Sequence, residues 1–363
     1  MGAPLKVLCL APYPVEGASA RLRVLQFLPY LREHGVEVTY RPFMDSEFFR
    51  GFYRPGRTLG KAAYLAGAGV RRLGDVGRAA GHDVVLVHRE AALFGPPVIE
   101  ALIARAVRTP MVFDFDDAIH VPYVSPTFGR AASLVKYPQK TPQIVRMSRA
   151  VIAGNRNLES YARGLNPSVT RIPTVVDTEI VRPRAGGEAR GPVVLGWMGT
   201  HSTYPYLESL FPVIREVARR HPIRVRVVGT GREVSIPGVE VESLPWTLET
   251  ELRDLQSFDV GLYPIVEDRW SLGKSGYKAV QYMAVGIPAV CSPVGATCDV
   301  VRDGMDGFLP TTEEEWVERL CSLIEDPALR RRMGETGRAR VEEGYSVAGQ
   351  APRLRAVLEE AAG

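Results

Sequence analysis

The stretch DVGLYPIVEDRWSLGKSGYKAVQYMAVGIPAVCSPVGATCDVVRDGMDGFL, Asp259 to Leu309, carries the clearest prediction of fold and site. It opens with a short apolar run that is typical of a buried parallel strand. The tetrapeptide GKSG, residues 273–276, then leads into an amphipathic helix predicted over 278–285 and ended by Gly286. Free backbone N–H groups at such a helix N-terminus favour an anion. On the local pattern alone, a tight glycine turn with solvated lysines remains an equal alternative.

Several short pieces of this stretch match a pattern known from other enzymes. They are Tyr263-Pro264, Gly276, Tyr282-Met283-Ala284, Gly286, Pro288-Ala289-Val290, Ser292-Pro293-Val294-Gly295, Asp303-Gly304 and Gly307-Phe308-Leu309. Together they resemble the donor site of family 4 glycosyltransferases, in particular a bacterial group with GKxGxK and QYMAxGxP. The resemblance implies an α/β chain of the GT-B fold, with two Rossmann-like, doubly wound parallel-sheet domains facing a cleft. It also implies a hexosyltransferase that moves a sugar from a nucleoside-diphosphate sugar to an acceptor hydroxyl with retention, in bacterial glycan, glycolipid or natural-product glycoside synthesis.

Chain length and one polar stretch predict two domains. At 363 residues the chain exceeds a single typical core. The segment RPRAGGEARGP, residues 182–192, has the composition of an interdomain linker. The predicted parts are a Rossmann-like acceptor-binding domain over 1–182, a linker over 183–192, a Rossmann-like nucleotide-sugar-binding domain over 193–345 and a C-terminal helix over 346–363 that the resemblance places against the first domain.

Composition excludes several classes of protein. Hydrophobic residues make up 45% of the chain and charged residues 24%, which is ordinary for a soluble globular protein. The net charge of +4 gives no indication of nucleic-acid binding. The four cysteines form no CxxC pair, so we expect buried free thiols in a reducing cytoplasm. The predicted location is cytoplasmic, with peripheral attachment at the inner face of the membrane left open. The acceptor is a glycan, a lipid-linked sugar or a small molecule.

The first domain begins with a strand, a glycine-containing loop and a helix. The predicted strand covers residues 5–11 and the predicted helix residues 21–34. In the enzymes that this chain resembles, the loop between them approaches the donor phosphates, which assigns Gly17, Ala18 and Arg21 to donor binding. Arginines at a helix N-terminus oppose the helix dipole, which favours an anionic partner. The alternative is that the arginines of this first turn are simply solvated.

Carboxylates gather at the end of the fourth predicted strand. Residues 111–115 lead into DFDDAIH, which supplies Asp114, Asp116, Asp117 and His120. Open α/β sheets place ligands at the carboxyl ends of their strands, and the resemblance implies an acceptor-side, catalytic role for the last three. Alternation along an extended chain points Asp117 away from the other two carboxylates. We therefore predict no metal site, although carboxylates do bind hard cations. A loop histidine bonded to backbone is the alternative for His120.

The resemblance assigns most donor contacts to the second domain. Many family 4 members hold the donor diphosphate with an arginine and a lysine where this chain has Thr200 and His201, so that role is expected to pass to Lys274, Lys278 or Arg21. We count Lys274 with the catalytic residues and expect no cofactor beyond the donor sugar. The predicted donor-binding residues here are Gly199, Thr200, His201, Gly229, Thr230, Trp246, Gly273, Ser275, Gly276, Tyr277, Lys278 and Gln281.

Two of these positions depart from the family pattern. Family 4 enzymes carry glutamates where this chain has Gly273 and Gln281. The amide of Gln281 can still hydrogen-bond a ribose hydroxyl, whereas Gly273 supplies no side chain. Trp246 is either a wall for the nucleoside or a half-buried surface tryptophan.

Residues 50–80 contain seven basic side chains against a single acid, Asp75, with aromatic and aliphatic residues between them. Such a segment either lies on an anionic membrane surface or forms a solvated helix face with its loop. A second basic run, 330–332, is expected to be solvated. The basic residues of the first segment are Arg50, Arg54, Arg57, Lys61, Arg71, Arg72 and Arg78.

Two other functions stay open at this point. A nucleotide-sugar epimerase can share the fold, although such an enzyme needs more acid–base groups than this sequence offers. A catalytically inactive, nucleotide-sugar-binding subunit agrees with the absence of the two glutamates.

Overall fold

The computed structural model describes residues 3–52, 56, 58–122, 136–184 and 191–363. The chain divides into two compact units. Unit 1 comprises Met1–Thr174, Gly273–Ser275 and Gln350–Gly363, and unit 2 comprises Val175–Leu272 and Gly276–Gly349. Most of the predicted linker lies outside the described residues, and the predicted domain boundaries stay a prediction.

Unit 1 contains one parallel sheet. Its strands are β1 Leu5–Ala11, β2 Val36–Pro42, β3 Val84–His88, β4 Met111–Phe115, β5 Ala150–Ala153 and β6 Val169–Arg171. They pair in the order β2-β1-β3-β4-β5-β6. Strands β3 and β4 are buried over their whole length, as in parallel sheets that are covered on both faces. The chain changes direction across the sheet between β1 and β3, which is where doubly wound sheets bind ligands.

The helices of unit 1 alternate with its strands along the chain. They are α1 Ala18–Arg23, α2 Leu28–Glu33, α3 Ser46–Phe52, α4 Thr58–Ala79, α5 Val98–Leu102, α6 Lys140–Met147 and α7 Arg156–Arg163. The single helix predicted over 21–34 is wrong in extent. It is divided because Val24 leaves the helical conformation, with φ −128° and ψ −60°, and because a proline starts α2.

Unit 2 contains the second parallel sheet. Its strands are β7 Val193–Met198, β8 Ile223–Val228, β9 Glu240–Leu244, β10 Val260–Tyr263, β11 Ala289–Cys291 and β12 Gly307–Phe308. They pair in the order β12-β11-β10-β7-β8-β9. The direction change therefore falls between β7 and β10. The prediction of two doubly wound parallel sheets is confirmed.

The helices of unit 2 follow its strands, and one more helix ends the chain. They are α8 Tyr204–Glu208, α9 Phe211–Arg220, α10 Glu251–Gln256, α11 Tyr277–Ala284, α12 Thr297–Val300, α13 Glu313–Glu325, α14 Pro327–Gly344 and finally α15 Val347–Ala362. Helix α11 is the helix predicted over 278–285. It is more buried than an amphipathic surface helix, because every residue over 279–284 is buried.

Three sequence-based expectations about single residues are wrong. Arg330 is 6% exposed and donates to the backbone carbonyls of Leu323 and Ile324, so it is not a solvated cation. Arg72 is likewise buried, at 1% exposure. Cys298 is exposed, whereas the other three cysteines are buried. Among the described residues, no helix is both long and apolar enough to cross a membrane.

Candidate functional site

Adjacent strand ends of unit 2 bring three of the predicted donor residues together. Gly199 follows β7, Gly229 follows β8 and Trp246 follows β9, and these strands are parallel neighbours. Gly229 has φ +91°, and a Cβ added there would lie 2.3 Å from the Gly199 carbonyl oxygen and 3.1 Å from the Trp246 Cβ. Only glycine allows this approach, so the two glycine loops and the tryptophan form one surface at the carboxyl edge of the sheet.

Lys278 places a cation at this surface. Its Nζ lies 4.4 Å from the centroid of the Trp197 ring and 5.4 Å from that of the Tyr263 ring, distances at which cation–π attraction holds an ammonium group. A Cβ added at Gly199 would be 2.7 Å from the same Nζ. Lys278 is the second residue of α11, whose N-cap Gly276 has φ +67° and makes no side-chain cap. A cation, a glycine loop and a helix N-terminus thus meet, which suits a diphosphate.

Glu251 is a site residue that the sequence reasoning missed. Its carboxylate accepts a hydrogen bond from Trp246 Nε1 at 2.6 Å and another from Gln281 Nε2 at 3.2 Å. Gln281 is only 6% exposed, whereas Trp246 is 40% exposed. A carboxylate from α10 therefore lies beside the amide of Gln281. No local signal in the sequence reveals this, because the partners are thirty residues apart.

Other predicted donor residues of unit 2 have local roles. The Thr230 hydroxyl is buried and donates to the Arg232 carbonyl at 2.8 Å, so it holds its own loop. Thr200 and His201 are exposed in the loop after β7. The Thr200 hydroxyl lies 2.8 Å from the Ser202 hydroxyl. Tyr277 is partly buried at the start of α11.

In unit 1, Arg89 joins two of the predicted catalytic carboxylates. Its Nε donates to Asp116 Oδ1 at 2.7 Å, and its terminal nitrogen lies 3.7 Å from Asp117 Oδ2. The expectation that Asp117 points away from Asp116 is wrong in this respect. Strand β4 ends at Phe115, so the alternation of an extended strand no longer applies. Arg89 also has φ +60°, a left-handed conformation that non-glycine residues adopt at a cost and often at functional sites.

The two carboxylates have opposite electrostatic environments. Burial opposes the charge of Asp116, but the nearby cations, Arg89 foremost, outweigh it and lower its pKa to about 2. Burial raises the pKa of Asp117 above its usual value, against the attraction of Arg89 and Lys274, and the charge of Asp116 adds to the increase. Asp116 is therefore a fixed anion, whereas Asp117 is the group more able to exchange a proton.

Asp114 forms a second buried charged group with Arg23 and His88. It pairs with Arg23 and accepts a hydrogen bond from His88 Nδ1 at 2.7 Å. Arg23 also donates to the Ile172 carbonyl at 2.8 Å, so it is not a solvated first-turn arginine. Burial opposes ionisation of Asp114, yet Arg23 and His88 hold its pKa below the usual value. His88 Nε2 is buried without a hydrogen-bond partner among the described residues.

His120 and Lys274 also belong to unit 1. The His120 ring stacks on Tyr161, with centroids 3.9 Å apart and planes 16° from parallel. The Lys274 carbonyl accepts a hydrogen bond from Asn155 Nδ2 at 3.0 Å, and its ammonium charge lowers the pKa of Asp117. Lys274, Asp116 and Asp117 are thus electrostatically linked, and the observed contact of His120 is with the Tyr161 ring.

Gly273 is pressed against backbone. A Cβ added there would lie 2.4 Å from the Ala118 Cβ and 2.6 Å from the Ala118 nitrogen. Position 273 therefore leaves no room for a side chain. Ser275, beside it, is partly buried.

The loop after β1 shows a second close approach. A Cβ added at Gly17 would lie 2.6 Å from the Tyr13 Cβ. Ala18 is exposed and Arg21 partly buried on the first turn of α1. Among the described residues, no group of three or more His, Cys, Asp and Glu side chains is arranged to hold a metal ion.

Comparisons with known proteins agree with this architecture. Residues 192–326 match the model of the family described as glycosyl transferases group 1. No curated protein matches in a direct sequence comparison. The structure is similar to Anabaena HepE in complex with UDP and glucose, with a TM-score of 0.69, 16% identity and coverage of 98% of this chain and 100% of that one.

Two further solved structures are similar over nearly their whole length. A glycosyltransferase from Rickettsia africae has a TM-score of 0.71 at 11% identity, with coverage of 99% of this chain and 98% of that one. Sucrose-phosphate synthase from Thermosynechococcus elongatus has a TM-score of 0.69 at 13% identity, with coverage of 99% of both chains. The chain therefore has the GT-B fold of these glycosyltransferases, and residues 192–326, most of unit 2, match the group 1 glycosyl transferases.

Proposed function

We propose that this protein is a family 4-like glycosyltransferase that moves a sugar from a UDP-sugar to an acceptor hydroxyl with retention of configuration. The main support for this proposal is the position of Lys278, whose ammonium group lies at the Gly199 loop and at the N-terminus of α11. The match of residues 192–326 to the group 1 glycosyl transferases supports this assignment. The choice of UDP follows Anabaena HepE, which was solved in complex with UDP-glucose.

At the donor end, unit 2 supplies the groups that a nucleotide-sugar requires. Lys278 and the dipole at the N-terminus of α11 stabilise the charge that develops on the departing diphosphate, and they do so without proton transfer. The exposed face of Trp246 suits stacking against the base. The carboxylate of Glu251, fixed between Trp246 and Gln281, accepts hydrogen bonds from ribose hydroxyls.

The chemical step breaks the bond between the anomeric carbon and the phosphate oxygen, and its electron pair leaves with UDP. The acceptor oxygen bonds to the anomeric carbon on the same face, and its proton passes to the departing phosphate oxygen. In this proposal Asp117 orients the acceptor hydroxyl, because its carboxylate is 22% exposed, whereas that of Asp116 forms an ion pair with Arg89.

The first experiment measures nucleotide binding and turnover by the full chain. Thermal shifts are recorded with UDP, GDP, ADP, TDP and CMP, with and without Mg²⁺. A ligand that binds only the folded protein must raise its melting temperature. UDP is expected to give the largest increase. Lys278→Met is expected to weaken UDP binding about tenfold or more, since it removes a charged hydrogen-bond donor. Lys6→Met is the matched control, because Lys6 is exposed on β1.

Incubation with UDP-glucose separates the competing functions. Release of UDP, accelerated by an acceptor, supports glycosyl transfer, and NMR of the product reports whether the configuration is retained. Conversion of UDP-glucose into an isomeric nucleotide sugar would identify an epimerase instead. Binding of nucleotides without any turnover across a panel of acceptors would identify a catalytically inactive binding subunit.

A further inference from the structure

Helix α4 exposes an apolar face along its whole length. Positions three or four residues apart fall on one side of a helix, and on this side of α4 every residue is small or aliphatic and exposed. Leu59 is 87% exposed, Val70 69% and Leu73 51%. Surface helices ordinarily place charged residues on such a face. The members of the apolar face are Leu59, Ala62, Ala63, Ala66, Val70, Leu73 and Gly77.

The opposite side of α4 packs against the rest of unit 1, so the helix cannot rotate about its axis to bury the apolar face. Arg72 donates to the carbonyls of Ala11, Arg41 and Ala91, at 2.9, 2.9 and 2.8 Å, which lie at or just beyond the ends of β1, β2 and β3. Ala68 and Ala79 are also buried on this side. The face is therefore held outward by hydrogen bonds made on its far side.

The exposed charges on α4 itself are positive. Arg71 and Arg78 are exposed on one edge of the helix. The carboxylate of Asp75 is buried and contacts three arginines, Arg41, Arg72 and Arg78, so it offers no exposed negative charge. Over residues 46–79 the sequence has seven basic and two acidic residues. Of the basic residues, Arg54 and Arg57 lie outside the described residues.

We propose that the apolar face of α4 docks on a membrane surface that contains anionic lipid. A helix with this distribution lies in the plane of the interface, with its aliphatic residues among the acyl chains and its basic residues at the headgroups. Charge complementarity favours an anionic membrane as the partner of this face, because each basic residue near an anionic bilayer increases binding about fivefold. The inference does not depend on the proposed function.

The test measures co-sedimentation of the full chain with vesicles of phosphatidylcholine, alone or mixed with phosphatidylglycerol. We expect binding to the anionic vesicles to be roughly tenfold stronger or more, and to weaken as salt screens the basic edge. The variant Val70→Glu/Leu73→Glu is expected to lose at least about tenfold in vesicle binding, since it places charges in the apolar face. Both positions are exposed, so circular dichroism should show an unchanged fold.

The matched control is Val98→Glu/Leu102→Glu, which introduces the same two charges at exposed aliphatic residues of α5. It should bind vesicles as the unaltered protein does. Equal binding by the unaltered protein and by the α4 double variant would overturn the proposal, as would failure of the unaltered protein to bind anionic vesicles at low salt. A dimer in light scattering that the double variant breaks, with vesicles ignored, would also overturn it, because the face would then serve a second copy of the chain.

Discussion

Replacing Asp116 with asparagine tests the charged group at the end of β4. The pKa of Asp116 falls from 3.8 to about 2 in the folded protein. Because each pKa unit corresponds to about 1.4 kcal/mol, the fold favours the ionised carboxylate by about 2.5 kcal/mol. Asp116→Asn removes that contribution. The guanidinium of Arg89, which is 18% exposed, then keeps one carboxylate contact in this group, with Asp117 at 3.7 Å. We expect unit 1 to lose about 2–3 kcal/mol of unfolding free energy at neutral pH.

The pH dependence of this loss follows from the direction of the shift. Since the pKa of Asp116 is lowered on folding, its contribution is fully present above the unfolded value of 3.8. It disappears as pH falls towards about 2, where the folded protein also protonates this carboxylate. The difference between Asp116→Asn and the unaltered protein should therefore be constant from pH 8 to about pH 5 and shrink only in acid.

The assay is denaturant unfolding followed by two signals. All four tryptophans, Trp197, Trp246, Trp270 and Trp316, lie in unit 2, so their fluorescence reports that unit, whereas circular dichroism reports both. The lowered midpoint should appear in circular dichroism. The control Glu240→Gln breaks an exposed ion pair with Arg224 and should change unfolding little. A circular dichroism transition of Asp116→Asn that matches the unaltered protein at pH 7 would refute the reasoning.

Three further predictions concern the residues around this group. Lys274→Ala should weaken donor binding and turnover with the fold intact. It should also move the acid limb of the kcat profile to higher pH, because the Lys274 charge lowers the pKa of Asp117. Unchanged kinetics would remove Lys274 from the site. Asp117→Asn should lower kcat at least about tenfold while the Kd for UDP changes little, so equal losses in both would contradict an acceptor-side role. Gly273→Ala should lower the melting temperature, at a cost of about 1–3 kcal/mol, because its Cβ would lie 2.4 Å from that of Ala118. The control Gly69→Ala meets no atom within 4 Å and should be neutral or stabilising.

The sequence predicted the architecture because its signals for strands and helices are local. The strands predicted over residues 5–11 and 111–115 became β1 and β4, and the segment following GKSG became α11 within one residue of the predicted bounds. Gly199 and Gly229 lie in the loops after β7 and β8, where an added Cβ would collide with neighbouring atoms. Periodicity was less informative for the first helix, because one β-branched residue and one proline were enough to divide it.

The charged partners could not be predicted, because they are distant in sequence. Arg23 and Asp114 are ninety-one residues apart, and Arg89 and Asp116 twenty-seven. One signal was available: an aspartate inside the apolar strand MVFDF requires a cationic or hydrogen-bonding partner when that strand is buried. Which cation supplies it depends on tertiary packing. The left-handed backbone conformation of Arg89 could not be predicted from residue preferences, since glycine and asparagine are the residues expected there.

The close approach of Gly273 to Ala118 also restricts how this site can change during evolution. The collision involves the Ala118 nitrogen and Cα, at 2.6 and 2.8 Å, so no substitution at position 118 makes room for a side chain at 273. A new carboxylate is therefore more accessible at position 281, but there it would face the carboxylate of Glu251, 3.2 Å from the present amide nitrogen. Homologous sequences should accordingly covary at these two positions, with glutamate at 281 accompanied by a neutral or basic residue at 251. A lineage that gains an acid at position 281 is therefore expected to lose the one at position 251 first.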